Sequence, residues 1–162
     1  MEPIRYVDAL NEKYGAMGFP PYKWSVHDSA PWTPLTKPLA DCTVAMLVSG
    51  GISHCSAVPF DPDARNDHRI DAINPAVPSD QYQIHDSYYD HSDAERDLNC
   101  LLPVDRLHEL AEAGEIGEVA QRHWSGFMGR TYNRSKVLGE SAPAFADELL
   151  ADQVDLLIAI PA

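Results

Sequence analysis

The chain has 162 residues, with 12 Lys and Arg against 25 Asp and Glu, so its net charge is −13. Apolar residues make up 44% and charged residues 23% of the sequence, which is typical of a folded globular domain and excludes a disordered chain. The acidic balance and the lack of a basic stripe argue against nucleic acid as a partner. No run of eighteen apolar residues occurs, so we expect no membrane contact through a spanning helix.

The cysteines and the amino terminus indicate in which cellular compartment the protein is expected. Cys42, Cys55 and Cys100 are odd in number and far apart, and they form no CxxC pair. This pattern is typical of reduced thiols and not of a disulfide framework. The first residues lack the basic start and apolar stretch of a signal peptide. We therefore expect a cytoplasmic protein, with Cys42 and Cys100 in apolar, core surroundings.

The amino-terminal part is predicted to be a helix followed by an irregular arm. Apolar side chains recur at spacings of three and four over residues 3–17, which favours a helix that Gly18 ends. Prolines then recur over residues 19–39, where each one removes a donor and disfavours helix in the residue before it. Trp24 and Trp32 are the bulky anchors on this arm. We treat residues 1–40 as helix and proline-rich arm, and residues 41–162 as a separate domain.

The run over residues 43–48 is apolar and rich in β-favouring side chains, so it predicts a buried parallel strand. It ends in a sharp turn, at which backbone can approach a ligand closely. Ligands of open α/β sheets bind at the carboxyl ends of strands. We therefore expect substrate contacts at this turn, from Ser49, Gly50 and Gly51.

The remaining pattern alternates between strands and helices. Residues 69–73 and 81–85 are predicted strands, with a loop at 61–67. A helix is predicted over 103–113 and a shorter one over 117–123; the core face of the first is Val104, Leu107, Leu110 and Ala111.

Near the end of the sequence, Ser141 is the expected N-cap of a further helix with Pro143 in its first turn. Its expected core face is Phe145, Leu149 and Leu150. Residues 154–160 are the last predicted strand. Together these elements predict an α/β fold: an open, mostly parallel three-layer sheet with helices on both faces, preceded by the proline-rich irregular arm.

An unusual density of His and Asp follows residue 84, and three interpretations of it stay open. His85, Asp86, Asp90 and His91 offer nitrogen and oxygen ligands suited to zinc or iron, although their spacing matches no established motif. Alternatively, the two histidines transfer protons and the two aspartates bind substrate. The third interpretation is structural, with these side chains bonding the backbone of their own loop.

Cys55 is the remaining candidate for catalysis. It lies four residues beyond Gly51 and next to His54, and an adjacent imidazolium can stabilise a reactive thiolate. However, neighbouring side chains in an extended segment point to opposite sides, so the two need not touch. A thiol without a role is the alternative. GxSxG, P-loop and GxGxxG motifs are absent from the sequence.

Several stretches in this order resemble the selenoprotein B family of the glycine/sarcosine/betaine and D-proline reductases. The resemblance covers residues 42–162, and the combination of PVDRLHEL, GEIG and FMG is its most specific part. The stretches that carry it are LVSGGISH at 47–54, PFD at 59–61, DHSDAERDLN at 90–99, PVDRLHEL at 103–110, GEIG at 114–117, His123 and GFMG at 126–129.

The resemblance implies a subunit of a reductase, with a partner reductase subunit or thiol reductant and a homo- or hetero-oligomeric assembly. In that family a selenocysteine or cysteine attacks the α-carbon of a small amine, and the C–N bond is cleaved reductively. A pyruvoyl group on a partner subunit activates the amine in the best-known members. No cofactor is implied for this chain itself. Arg106, in the PVDRLHEL stretch, either orders its helix or binds a substrate carboxylate, for which its planar fork is suited.

The family carries its nucleophile just after the strand that corresponds to residues 154–160. We therefore expect a selenocysteine or redox cysteine beyond Ala162, with the chain truncated there and inactive alone. Two alternatives stay open. One is a metal-dependent enzyme that uses the His85–His91 cluster. The other is a non-catalytic interaction module that docks through the arm and an unpaired sheet edge.

Overall fold

The computed structural model describes residues 5–21 and 26–162. Its contacts divide the chain into two compact units, Met1–Pro34 and Leu35–Ala162. In the first unit, helix α1 (Tyr6–Ala16) occupies the described part of the predicted 3–17 helix. Trp24 lies outside the described residues. Because residues 22–25 are also outside them, the irregular arm over 19–39 stays a prediction.

The second unit contains the remaining helices and strands. Its strands are β1 (Thr43–Val48), β2 (Ile52–His54), β3 (Ile70–Ile73), β4 (Tyr82–Ile84), β5 (Glu118–Val119), β6 (His123–Gly126) and β7 (Leu156–Ile160). Its helices are α2 (Ser92–Arg96), α3 (Val104–Glu112), α4 (Arg134–Lys136) and α5 (Ala142–Ala151), with short 3₁₀ turns at Leu39–Asp41, Ser79–Gln81 and Leu98–Cys100. No helix among the described residues has the length and apolar character needed to cross a bilayer.

The main sheet is built around β1. Strand β7 runs parallel to it along one edge, from Val44 opposite Leu156 to Val48 opposite Ile160. Strands β5 and β6 run parallel along the other edge, and β3 is antiparallel to β6 at the outside. Strands β2 and β4 form a separate antiparallel pair. The predicted α/β fold with a mostly parallel sheet is therefore confirmed.

The core lies on both faces of this sheet because side chains of β1 alternate between them. Val44, Met46 and Val48 point into the cluster that α2 and α3 cover, through Ala94 and Leu107. Ala45 points into a second cluster, where Trp124 packs edge-on against Phe145 of α5, with ring centroids 5.3 Å apart. The sheet therefore has helices on both faces, as the sequence predicted.

The prediction of a helix over 117–123 is wrong. This segment instead forms β5 and the start of β6, which complete the edge of β1. Gly117, just before β5, packs against the backbone of Cys42. The Cys42 carbonyl accepts from the amides of Gly117 and Glu118, each at 3.1 Å. Pairing with a buried strand outweighs the weak helical preference of so short a stretch.

Ser141 is also not an N-cap. The helical stretch begins earlier, after Asn133, whose side chain accepts from the Lys136 amide. It continues through a π-helical turn at Val137–Ser141 into α5. The Ser141 hydroxyl is free to pair with His68 Nδ1 at 3.1 Å because it is not needed at a helix end.

Some of the predicted core positions are exposed. Phe145 is buried and Leu149 packs beside it, but Leu150 is 74% exposed on the outer side of α5. Leu110 of α3 is 42% exposed. Cys42 is buried as predicted, whereas Cys100 is exposed because the turn at Leu98–Cys100 projects it outward. Apolar periodicity located α3 and α5 but made the buried face of each too wide.

Candidate functional site

The carboxyl ends of three parallel strands meet at one edge of the sheet. Val48, the last residue of β1, is level with Ser125 of β6 and Ile160 of β7. The turn Ser49–Gly51 follows directly and is bonded to the end of β7. Its first amide donates to the Ile160 carbonyl at 3.2 Å, and the Ser49 hydroxyl accepts from the Ala162 amide at 3.0 Å. The backbone that leaves β7 is thus held beside this turn.

The two glycines of the turn are required by close packing against the protein itself. A Cβ on Gly50 would lie 2.7 Å from both Leu101 Cδ2 and the Tyr89 hydroxyl. A Cβ on Gly51, which has φ +68°, would lie 2.2 Å from the His85 carbonyl oxygen. The turn is therefore pressed against the segment that follows β4.

That segment, residues 85–91, is bonded to the turn through its backbone and one tyrosine. The His85 amide donates to the Gly51 carbonyl at 3.0 Å. The Tyr89 hydroxyl donates to the Gly50 carbonyl at 3.0 Å. Burial, with a smaller contribution from the Asp86 carboxylate, raises the pKa of Tyr89 to about 12, so this phenol stays a neutral donor. The His/Asp segment and the Ser49–Gly51 turn thus form one structure.

The aspartates of the segment close local turns. Asp86 accepts from the Tyr88 amide at 2.7 Å, and Asp90 accepts from the Ser92 amide at 3.0 Å. The bond from Ser92 holds the pKa of the Asp90 carboxyl below its usual value. This is the geometry of the structural interpretation.

Both histidines have a buried Nδ1 that makes no hydrogen bond to a described residue. His91 Nδ1 lies 3.0 Å from a carboxylate oxygen of Glu95, within ion-pair distance but without hydrogen-bond geometry, and its ring contacts Tyr89 edge-on at 5.6 Å. His85 therefore has an unsatisfied polar atom next to the turn.

A third loop, after β6, completes the site and was not identified as such from the sequence. Phe127 and Arg130 have positive φ values of 52° and 59°. The loop contacts the other two segments: the Met128 methyl would be 3.0 Å from a Cβ on Gly51, and a Cβ on Gly129 would be 3.3 Å from the Tyr88 ring. Non-glycine residues in this conformation cost energy and are enriched at functional sites. The Gly129-Arg130 pair a few residues after β6 is the signal that could have found it.

Two of the predicted site residues lie apart from this cluster. Cys55 is exposed and follows β2 at its far end, about 13 Å of extended strand from Gly51. Its neighbour His54 bonds Ser56, at 2.7 Å. Arg106 is on α3 and pairs with Glu109 at 2.7 Å, with 60% of its side chain exposed.

The described residues contain no group of three or more His, Cys, Asp or Glu side chains placed to hold a metal ion. A polar cavity of about 650 Å³ lies at the opposite, amino-terminal edge of the sheet, between Lys37, Glu118 and Asp152. Size alone therefore does not locate the candidate site. The convergence of three loops at the carboxyl edge does.

These features define an α/β domain whose candidate site is in the place where such sheets bind ligands. The sequence pattern of the glycine/sarcosine/betaine reductase selenoprotein B family matches residues 4–161. The chain belongs to this family.

Two curated relatives are reductase subunits. The chain is 32% identical over 131 residues to the D-proline reductase subunit gamma of Acetoanaerobium sticklandii, covering 78% of this chain and 51% of that protein. It is 29% identical over 165 residues to the sarcosine reductase complex component B subunit beta of Peptoclostridium acidaminophilum, covering 95% of this chain and 36% of that protein. The chain thus spans about half or less of the length of these relatives. No solved structure matches it.

Proposed function

We propose that this chain forms the substrate-facing half of the active site in a selenocysteine- or cysteine-dependent reductase of small amines. The observation that carries the proposal is the pair of bonds between Ser49 and the end of β7. Whatever follows Ala162 must leave the sheet beside the Ser49–Gly51 turn. A nucleophile carried there would lie next to the segment 85–91 and the loop after β6.

The proposed reaction breaks a C–N bond. A chalcogenolate attacks the α-carbon, a carbon–chalcogen bond forms, and the amine leaves with the bonding pair and takes up a proton. Two thiols then reduce the carbon–chalcogen bond, becoming a disulfide, while the carbon gains hydrogen. A pyruvoyl group on a partner subunit, where present, would supply activation of the amine.

The chain's own residues have positioning and proton-transfer roles in this proposal. His85 is the first candidate proton donor to the leaving amine, because its Nδ1 has no hydrogen-bond partner among the described residues and the residue is tied to Gly51. His91 is the second. The carboxylates of Asp86 and Asp90 are candidates for binding the ammonium group of the substrate.

The test is thiol-dependent turnover by the complete gene product assembled with its partner subunits. We expect amine release from glycine, sarcosine or betaine, or ring opening of D-proline to an open-chain amino acid, in the presence of dithiothreitol, and loss of this activity after alkylation of the chalcogen. An assembled complex that cleaves the C–N bond of none of these four compounds contradicts the proposal.

Within that assay, Ser49→Ala tests the bond between Ser49 and the backbone that leaves β7, on which the proposal rests. It removes the acceptor for the Ala162 amide, and a nucleophile displaced by about 1 Å loses roughly tenfold to a hundredfold in rate. We expect kcat to fall by about that factor, with little change in KM. Ser56→Ala, in the exposed turn after β2, is the matched control and should leave kcat unchanged. Equal rates for the two variants would contradict the role given to Ser49.

A further inference from the structure

Arg69 and Arg130, at the carboxyl edge of the sheet, differ in how many of their guanidinium donors are bonded within the protein. Arg69 is fully engaged: it makes two bonds to Asp71, donates to the carbonyls of Val58 and Pro59, and stacks over the Phe60 ring at 4.3 Å. Arg130 donates to the Tyr88 hydroxyl and to the Asp63 carbonyl, the latter at 3.0 Å. Its Nη2 makes no hydrogen bond to any residue within 5–21 or 26–162.

The backbone of Arg130 is fixed although it lies in a loop. Its φ of 59° is held by the Asn66 amide, which donates to its carbonyl at 3.0 Å. The Asn66 side chain in turn accepts from the amides of Tyr132 and Asn133, at 2.8 and 2.7 Å. Two residues earlier, Met128 contacts Gly51. The backbone that carries this guanidinium thus belongs to the same cluster as the Ser49–Gly51 turn.

The carboxylate that now faces this guanidinium is easily displaced. Asp63 Oδ1 lies 3.2 Å from Arg130 Nη1, and the Asp63 side chain is 79% exposed. An ion pair this exposed contributes little to stability. In a chain of net charge −13, an anionic ligand needs a local cation to bind. Arg130 has the planar fork that carboxylates prefer.

We propose that Arg130, and not Arg106, binds the carboxylate of the substrate. The inference rests on the proposed function, since it assigns the specificity of the same site. Tyr88 holds the guanidinium from one side, and the substrate carboxylate replaces Asp63 on the other. Arg130 is therefore the residue through which small amines with a carboxylate bind more tightly than amines without one.

Binding measured by NMR titration tests this on the complete protein, without requiring turnover. D-Proline and pyrrolidine share a ring and an amine, and only the first has a carboxylate. We expect Arg130→Met to weaken D-proline binding by about tenfold or more and to leave pyrrolidine binding unchanged. Arg106→Met is the matched control, and it should bind both compounds as the wild type does. Arg130→Lys keeps the charge and should give an intermediate loss.

The inference is overturned if D-proline binding is lost in Arg106→Met and kept in Arg130→Met. An equal loss for both compounds in Arg130→Met would also overturn it, as would a wild type that does not prefer D-proline over pyrrolidine. Far-ultraviolet circular dichroism of Arg130→Met excludes misfolding, and Arg130→Lys decides the question where Arg130→Met is unfolded. If the wild-type complex turns over substrate and the Arg130→Met complex has the same KM, this inference is overturned and the proposed function stands.

Discussion

Gly51 is the residue on which the site depends most directly. Its positive φ is unfavourable for any side chain, and the space that a Cβ would occupy is taken by the backbone oxygen of His85, which cannot move without breaking the bond between the same two residues. The sequence favoured a glycine that lets a ligand approach. The structure shows instead a glycine that lets residues 85–91 approach, so the turn and the His/Asp segment are held together.

Gly51→Ala therefore combines two penalties. Backbone strain of about 1–2 kcal/mol adds to crowding of about 1–3 kcal/mol, so we expect a loss of about 2–5 kcal/mol in the free energy of unfolding. Gly114→Ala is the control: its φ of +72° is equally strained, but nothing lies within 4 Å of its Cβ position. It should cost only the strain, about 1–2 kcal/mol. Urea denaturation of both variants measures the difference, and equal losses would contradict the packing argument.

The pairing of β1 with β5 and β6 contains an interruption that a side chain fills. Residues 43 and 44 pair with 118 and 119, but 47 and 48 pair with 124 and 125, so two extra residues lie between the paired segments. At this point His123 Nδ1 accepts from the buried Met46 amide at 3.1 Å. Its Nε2 is buried without a partner in the described part of the chain. A neutral imidazole therefore replaces a backbone carbonyl in the ladder.

This arrangement gives a pH dependence with a defined sign. Burial, and then the charge of His108, lowers the pKa of His123 to about 4, whereas an unfolded histidine titrates near 6.5. Between these values the unfolded chain binds more protons, so the contribution is complete above about pH 6.5 and is lost as the pH falls to about 4. The total is on the order of 3 kcal/mol.

His123→Asn keeps an acceptor near the Met46 amide and removes the titration. Its stability at pH 7 should fall modestly, because the shorter side chain leaves a cavity. Between pH 6.5 and 4 its urea midpoint should fall less than that of the wild type. Carboxylates titrate equally in both proteins, so the difference isolates His123. Parallel curves over this range would show that His123 does not titrate in the folded protein as described.

Over the whole molecule, the sequence predicted the elements that depend on a local residue pattern. It missed the elements and residues whose role depends on contacts between distant parts of the chain. Strand β1 was located to the residue, because Thr43 and five apolar residues end at a Ser-Gly-Gly turn. The segment 117–123 was misread as a helix because only contact with β1 makes it extended. Arg130 was missed because a single arginine in a loop has no periodicity. Its significance arises from contacts with residues 63, 66 and 88, which are distant in sequence.

The distribution of buried residues makes a prediction about the two units. Every buried apolar side chain of the described residues lies between Cys42 and Phe145, and none lies in 5–21 or 26–34. Both core clusters belong to the unit Leu35–Ala162, which also keeps the Lys37–Asp155 pair at 2.6 Å. A protein that begins at Leu35 should therefore unfold cooperatively with a melting temperature within about 3 °C of the full chain.

Leu107→Ala in the full chain is the reference for this comparison. Leu107 is 4% exposed in the cluster beneath α3, so its truncation should cost about 2–5 kcal/mol and lower the melting temperature by several degrees or more. Differential scanning calorimetry of the three proteins separates the cases. If the shortened protein melts as low as Leu107→Ala, the first 34 residues stabilise the sheet domain. The buried core of residues 35–162 would then not be sufficient to explain the stability of the full chain.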